Sequence, residues 1–309
     1  MINDFFIFAV SLYLVGKGAQ MSTKYAARVA ESFQLSKYMV GLIIVSIISI
    51  LPETFIAINS AFEGIPSLGL GTLLGSNVAD MTLIFAIIIF SAGRDLKIEG
   101  KILKNNVVYP AILLLPIVLG WNGHFSRMEG LALIIAGAVF YYTALKNKEE
   151  HDLPRDRRDM QYKSFPMLLL GMSVLLVGAH FTVTSATDLA LAIGINPILI
   201  GIIVIGVGTT IPELFFSLRS VRTEDESLAV GDLLGTVLAD ATIVVGILAM
   251  ISPFVFPREI IMVTGVCMVL ASLVLFHFMK TGRSLTRREG AGLLLFWLFF
   301  VLVEFFVNA

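Results

Sequence analysis

Two segments of this chain are copies of each other, and their spacing restricts the fold more than any other feature. Residues 38–82 align with residues 198–242 at a constant offset of 160 and without a gap. Gly41, Pro52, Glu53, Gly71, Leu73, Leu74, Gly75, Ala79, Asp80 and Thr82 match Gly201, Pro212, Glu213, Gly231, Leu233, Leu234, Gly235, Ala239, Asp240 and Thr242. Ahead of these blocks, Leu14-Val-Gly16 echoes Leu176-Val-Gly178 at an offset of 162. Self-similarity at a fixed spacing marks a duplicated structural unit. Both copies lie in apolar runs of about 20 residues, long enough as helix to cross the ~30 Å hydrocarbon layer of a membrane.

These runs set the class. Of the 309 residues 57% are hydrophobic and only 15% charged, where soluble domains carry roughly a quarter charged residues. The expected fold is an all-α membrane protein with ten transmembrane helices in two inverted five-helix repeats. The spans fall at about 4–31, 37–61, 68–91, 101–121, 126–146, 164–192, 196–220, 227–251, 258–280 and 287–307. Pro110 and Pro116 are expected to kink the fourth. The first apolar segment, from Phe5, has no basic stretch before it and no small-residue cleavage site, so it reads as a retained helix rather than a signal peptide. The lone Cys267 excludes disulfides and thiolate metal clusters. The net charge of −1 says nothing about nucleic acid, but no basic patch is interleaved with aromatics, and no nucleic-acid partner is expected.

Lys and Arg give the orientation. With these spans, nineteen of them fall on one side, including Lys37, Lys97, Arg155, Arg222 and Arg287, against Arg127 and Arg258 on the other. The reading is a multi-pass protein of the cell membrane with both termini extracellular and the 146–163 loop cytoplasmic. Residues 1–146 form the first repeat, 147–163 a cytoplasmic linker and 164–309 the second repeat. Five spans per repeat is an odd number, so the second copy sits upside down relative to the first. Inverted repeats are typical of secondary transporters, whose substrate site lies near the bilayer midplane. A duplication with a purely structural role is the competing reading.

The repeated segments carry the chemistry. Pro52 and Pro212 have no N–H, which leaves the carbonyls of Ile48 and Gly208 without their helical donor. At membrane depth such a carbonyl needs another partner, and a cation is one. One turn before each glutamate lies a hydroxyl, Ser49 and Thr209, on the same helix face. Carboxylate, hydroxyl and carbonyl are hard oxygen ligands, suited to Ca²⁺ and usable by Na⁺. In the third and eighth spans Thr72, Ser76 and Asp80, and likewise Asp232, Thr236 and Asp240, form polar stripes on apolar helices. A charge at the bilayer centre costs at least about 2.5–3.5 kcal/mol. Glu53, Asp80, Glu213 and Asp240 therefore need cations or protons to neutralise them. Ca²⁺ entry and Na⁺ or H⁺ entry become alternative ways of neutralising the same oxygens, which is the logic of exchange.

The paired Pro-Glu segments, each followed by Gly75-Ser76-x-x-x-Asp80 or Gly235-Thr236-x-x-x-Asp240, resemble the two α-repeats of the calcium/cation antiporter superfamily, especially its prokaryotic sodium/calcium exchangers. The resemblance covers nearly the whole chain. It implies a secondary active antiporter, not an enzyme, exchanging Ca²⁺ for Na⁺ by alternating access. Glu53, Glu213, Ser49 and Thr209 would hold Ca²⁺. Sodium would use Ser76, Thr210, Thr236 and the backbones of Ser46 and Gly206, with Asp80 and Asp240 beside them. No resident cofactor is implied, and the partners are inorganic cations and the lipid bilayer. The first copy departs from the family pattern: Ile48 stands for a glycine and Ile50 for a hydroxyl. Asp80 stands where many sodium/calcium members carry an amide. These departures make proton-coupled or K⁺-assisted exchange the alternative.

Other polar residues have plainer readings. Lys17 is expected to snorkel or face a vestibule, and His180 to be a hydrogen-bonded packing residue. Asp232 reads as an inner-entrance acid or a helix-terminal charge. Glu224, Asp225 and Glu226 read as a solvated turn, and Glu304 as interfacial. An intramembrane aspartyl protease built on Asp80 and Asp240 is a rival from another class, but it leaves both glutamates and their hydroxyls without a task. A channel is disfavoured because inverted repeats around one site suit exchange better.

Overall fold

A computed structural model describes residues 2–33, 35–62, 64, 66–98, 107–146, 161–192 and 208–308. Helices α1 (Ile2–Phe33), α2 (Lys37–Ser49), α3 (Leu51–Phe62) and α4 (Pro66–Ala92) are followed by α5 (Val108–Leu119) and α6 (Arg127–Lys146). After α7 (Gln161–Ala192) come α8 (Ile211–Arg222), α9 (Glu226–Ile251), α10 (Ile260–Lys280) and α11 (Arg287–Asn308). Among the described residues α4, α6, α9, α10 and α11 are long and apolar enough to cross a bilayer, and α2 with α3 is a broken sixth candidate. The helix ends lie close to the expected spans, because apolar runs bounded by charge dictate them. The expected fourth span is described from Val107 and the seventh from Gly208; their earlier parts lie outside the described residues. Pro110 falls in the first turn of α5, where its missing N–H breaks no hydrogen bond, so Pro116 alone sits inside that helix.

The helices group into two compact units, Met1–Ser49 with Lys148–Asp232 and Ile50–Asn147 with Leu233–Ala309. Each unit draws on both sequence copies, so packing and duplication divide the chain differently.

In the first unit α1 and α7 touch through backbone. A Cβ on Gly18 would stand 2.5 Å from Leu175 N, one on Gly178 2.8 Å from Val15 N, and one on Gly171 2.9 Å from Ser22 N. Lipid gives apolar helices little reason to associate, so close approach over small residues supplies the contact. Val15, Ala19, Ala26, Leu168, Met172, Leu175 and Phe216 fill the interior. Asp225 is not the solvated turn residue expected: it is mostly buried and forms an ion pair with Lys37.

In the second unit β1 (Leu96–Lys97) pairs with β4 (Ser284–Leu285), and β2 (His124–Phe125) with β3 (Phe254–Val255), both antiparallel. Each ribbon joins two loops that the Lys and Arg distribution assigns to one membrane side. The duplication also reaches beyond the aligned blocks. Ser126 N–H donates to Glu129 Oε2 (2.7 Å) and Glu129 N–H to Ser126 Oγ (3.3 Å), a capping box that starts α6. Thr286 and Glu289 repeat it at the start of α11, at 2.7 and 3.4 Å.

Two tyrosines anchor α9 in this unit. Tyr109 Oη donates to the Leu234 carbonyl (2.7 Å) and Tyr141 Oη to the Gly235 carbonyl (2.8 Å). Both rings are buried. A buried hydrogen bond contributes ~1 kcal/mol net. Tyr141→Phe is therefore expected to lower the melting temperature of the purified protein by about 2–4 °C, and an unchanged melting curve would show that the bond stabilises nothing.

Candidate cation site

Proline placement decides where the glutamates sit. Helix α2 ends at Ser49, Ile50 forms a turn, and α3 restarts with Pro52 and Glu53 in its first turn. In the second copy Thr209 and Thr210 form the turn, and α8 starts with Pro212 and Glu213 in its first turn. The first hydrogen bonds of the two helices correspond: Thr54 N–H donates to Ile50 O and Leu214 N–H to Thr210 O, both at 2.9 Å. The first turn is the position a proline tolerates best. Each glutamate thus lies at the positive end of a short helix, worth about 0.3–1 kcal/mol to a carboxylate. Pro52 and Pro212 therefore sit at helix starts.

Glu53, Asp80, Glu213, Asp232 and Asp240 are each no more than 1% exposed. In the second unit three of them are neighbours, since Asp240 interacts electrostatically with both Glu53 and Asp80. They come from α3, α4 and α9. Asp80 and Asp240 each open a π-helical turn, Asp80–Ile84 and Asp240–Val244. Such wide turns inside helices concentrate at functional sites, where they re-aim side chains. One turn earlier, Ser76 Oγ donates to the Leu73 carbonyl (3.1 Å) and keeps its lone pairs. Among the described residues no hydrogen bond reaches Thr236 Oγ1 or either carboxylate oxygen of Asp240.

The first unit holds Ser46, Ser49, Thr209, Thr210, Glu213 and Asp232, all buried. Ser46 Oγ donates to the Leu42 carbonyl (2.6 Å). Ser49 Oγ donates to Asp232 Oδ1 (3.0 Å). Thr209 Oγ1 has no hydrogen bond among the described residues. Gly206 lies outside the described residues. Ile50, where a hydroxyl was expected from the family pattern, is buried with 7% exposure.

Several plainer readings change. Asp232 is neither an entrance acid nor a helix-terminal charge; it is buried in the second turn of α9 because Ser49 gives its carboxylate a partner. His180 is exposed on α7 against Phe181, with ring centroids 5.4 Å apart, so it is not a packing histidine. Lys17 is exposed beside the Tyr13 ring, 5.6 Å from its centroid. Glu304 is half-buried and accepts a short hydrogen bond from Thr264. Among the described residues no three His, Cys, Asp or Glu side chains are placed to hold a metal ion by themselves.

Comparison with known proteins shows the family. A sequence profile of the family described as sodium/calcium exchanger protein matches the chain twice, over residues 3–146 and 163–306. The chain belongs to the sodium/calcium exchanger family. Membership makes it a multi-pass membrane transporter, not an enzyme. An uncharacterized membrane protein of Methanocaldococcus jannaschii is 26% identical over 276 residues, covering 88% of this chain and 89% of that one. The sodium/calcium exchanger MaX1 of Methanosarcina acetivorans is 23% identical over 351 residues, covering 98% and 99%. Among solved structures, the sodium-calcium exchanger NCX_Mj, soaked with Na⁺ and Sr²⁺, superposes with a TM-score of 0.86 at 22% identity, covering 97% of this chain and 98% of that one. At that identity the superposition shows the shared fold.

Proposed function

We propose that this family member is a secondary active antiporter that exchanges Ca²⁺ for Na⁺ by alternating access. Glu53, Asp80 and Asp240 with Ser76 and Thr236 supply one group of oxygens. Glu213, Ser46, Ser49, Thr209, Thr210 and the Gly206 backbone supply the other. The observation that carries the proposal is the state of Asp240. Its carboxylate is fully buried, has two further carboxylates as electrostatic neighbours, and has no hydrogen bond to either oxygen among the described residues. Such a group persists in a membrane only if cations or protons neutralise it. Transported Ca²⁺ does so with one ion, and Na⁺ does so in its absence.

The ten-span plan, with two repeats in opposite orientation, both termini outside and the 147–163 linker inside, is the arrangement this mechanism uses. It is supported by the two profile matches, one to each half. The ribbons support it too, because β1 and β3 follow equivalent spans in the two copies yet belong to different ribbons.

The test is Ca²⁺ uptake into vesicles carrying the purified protein, with Na⁺, K⁺ and pH gradients imposed one at a time. Uptake driven by an outward Na⁺ gradient is expected. Uptake that follows only a pH gradient, or that requires K⁺, would reassign the counter-ion, as the extra acid Asp80 and the missing hydroxyl at Ile50 allow. Absence of Ca²⁺ flux under every gradient overturns the proposal.

A further inference from the structure

The buried acid that the family pattern leaves without a task is Asp232. It lies on α9 two turns before Asp240 and is 0% exposed. Its Oδ1 accepts the Ser49 hydroxyl at 3.0 Å, and its Oδ2 has no hydrogen bond among the described residues. Backbone packing fixes its place. A Cβ on Gly41 would stand 2.8 Å from the Asp232 N and 2.4 Å from the Leu228 carbonyl oxygen. The two helices therefore approach backbone to backbone there, and the carboxyl group lies against the last turn of α2.

We propose that Asp232 is a positioning residue for Ser49, accepting a hydrogen bond from its hydroxyl so that the oxygen turns its lone pairs to Ca²⁺. A hydroxyl can donate or accept, and it rotates to suit its surroundings. A carboxyl oxygen that accepts this bond, as Oδ1 does, removes that freedom and presets the acceptor orientation that a cation needs. Among the described residues this device occurs in one half of the repeat. The residue equivalent to Asp232 is Thr72, which donates to the carbonyl of Leu68 (2.9 Å) in its own helix. The hydroxyl equivalent to Ser49 is Thr209, which has no hydrogen bond among the described residues. Asp232 thus serves the copy in which Ile50 has displaced a hydroxyl. With fewer oxygens there, the orientation of the one that remains counts for more.

This inference rests on the proposed Ca²⁺ transport, and the experiment separates the two. Ca²⁺ binding by calorimetry and initial uptake rates are measured for the wild type and for D232L, D232N, S49A and the double variant S49A/D232L. Wild-type protein without Ca²⁺ binding or uptake refutes the transport proposal itself. With a working wild type, D232L is expected to raise the Ca²⁺ KM and Kd about tenfold while the maximal rate stays within about twofold. D232N keeps an acceptor oxygen and is expected to stay within about threefold of wild type. S49A/D232L is expected to be no worse than S49A, because both changes act through one hydroxyl. Unchanged Ca²⁺ affinity in D232L, or effects of S49A and D232L that multiply in the double variant, overturn the positioning role. Should D232L fail to fold, D232N decides: affinity as weak as that of S49A overturns it, and affinity near wild type supports it.

Discussion

Glu213→Gln is expected to reduce Ca²⁺ transport by at least about 100-fold, and Glu53→Gln to do the same. Each change keeps the size of the side chain and one oxygen but removes the charge. A divalent ion leaves water only for a site that returns its solvation, and carboxylates return most of it. Both positions are the first acidic residue after a helix break, so neither has a neighbour on its own helix that can substitute. Because Gln is nearly isosteric and both sites are buried, the variants are expected to fold. Thermal stability with and without Ca²⁺ checks this independently of transport. Ca²⁺ raises the melting temperature of a protein that binds it only when folded, so the wild type gains stability with Ca²⁺ and both variants gain none. Full Ca²⁺ flux in either variant removes that glutamate from the ion path. Loss of flux with intact stability also disposes of the aspartyl protease reading, in which neither glutamate takes part.

These glutamates were legible in the sequence because a proline next to an acid in an apolar run is costly, and the cost recurs at a fixed offset. Helix boundaries were legible because charged residues bound the apolar runs. What the sequence could not express was partner choice. Asp232 stands on the stripe of Thr236 and Asp240, but nothing in its spacing says that Ser49, far away in the chain, donates its hydroxyl to it. The π-helical turns at Asp80 and Asp240 leave no trace in composition, since one wide turn needs no particular residue. Tyr109 and Tyr141 look like ordinary apolar-run aromatics until their hydroxyls are placed on α9 carbonyls. One signal was present and unread. Ser126-x-x-Glu129 and Thr286-x-x-Glu289 are capping boxes at the offset of the main repeat, and they carry the duplication into α6 and α11.

The small residues of the repeat behave differently from its acids, and Gly231→Ala is where this has the largest effect on the folded state. A Cβ on Gly231 would stand 2.3 Å from the carbonyl oxygen of Tyr38 and 2.9 Å from Leu42 N. Both obstacles are backbone, so no side chain can rotate away, and α2 and α9 have to separate. Overpacking of this kind typically costs 1–3 kcal/mol, or more when the backbone must move. The change also sits beside Asp232, so separating the helices draws the carboxylate away from Ser49. Gly231→Ala is expected to lower the melting temperature by at least about 5 °C and to weaken Ca²⁺ binding with it. Gly16→Ala is the control. Gly16 is exposed in the middle of α1, and a Cβ there meets nothing within 4 Å among the described residues. Alanine is favoured over glycine in a helix by ~1 kcal/mol, so this variant should be as stable as wild type or slightly more so. If Gly231→Ala melted and bound Ca²⁺ like Gly16→Ala, the backbone contact between α2 and α9 could not be what holds Asp232 in place.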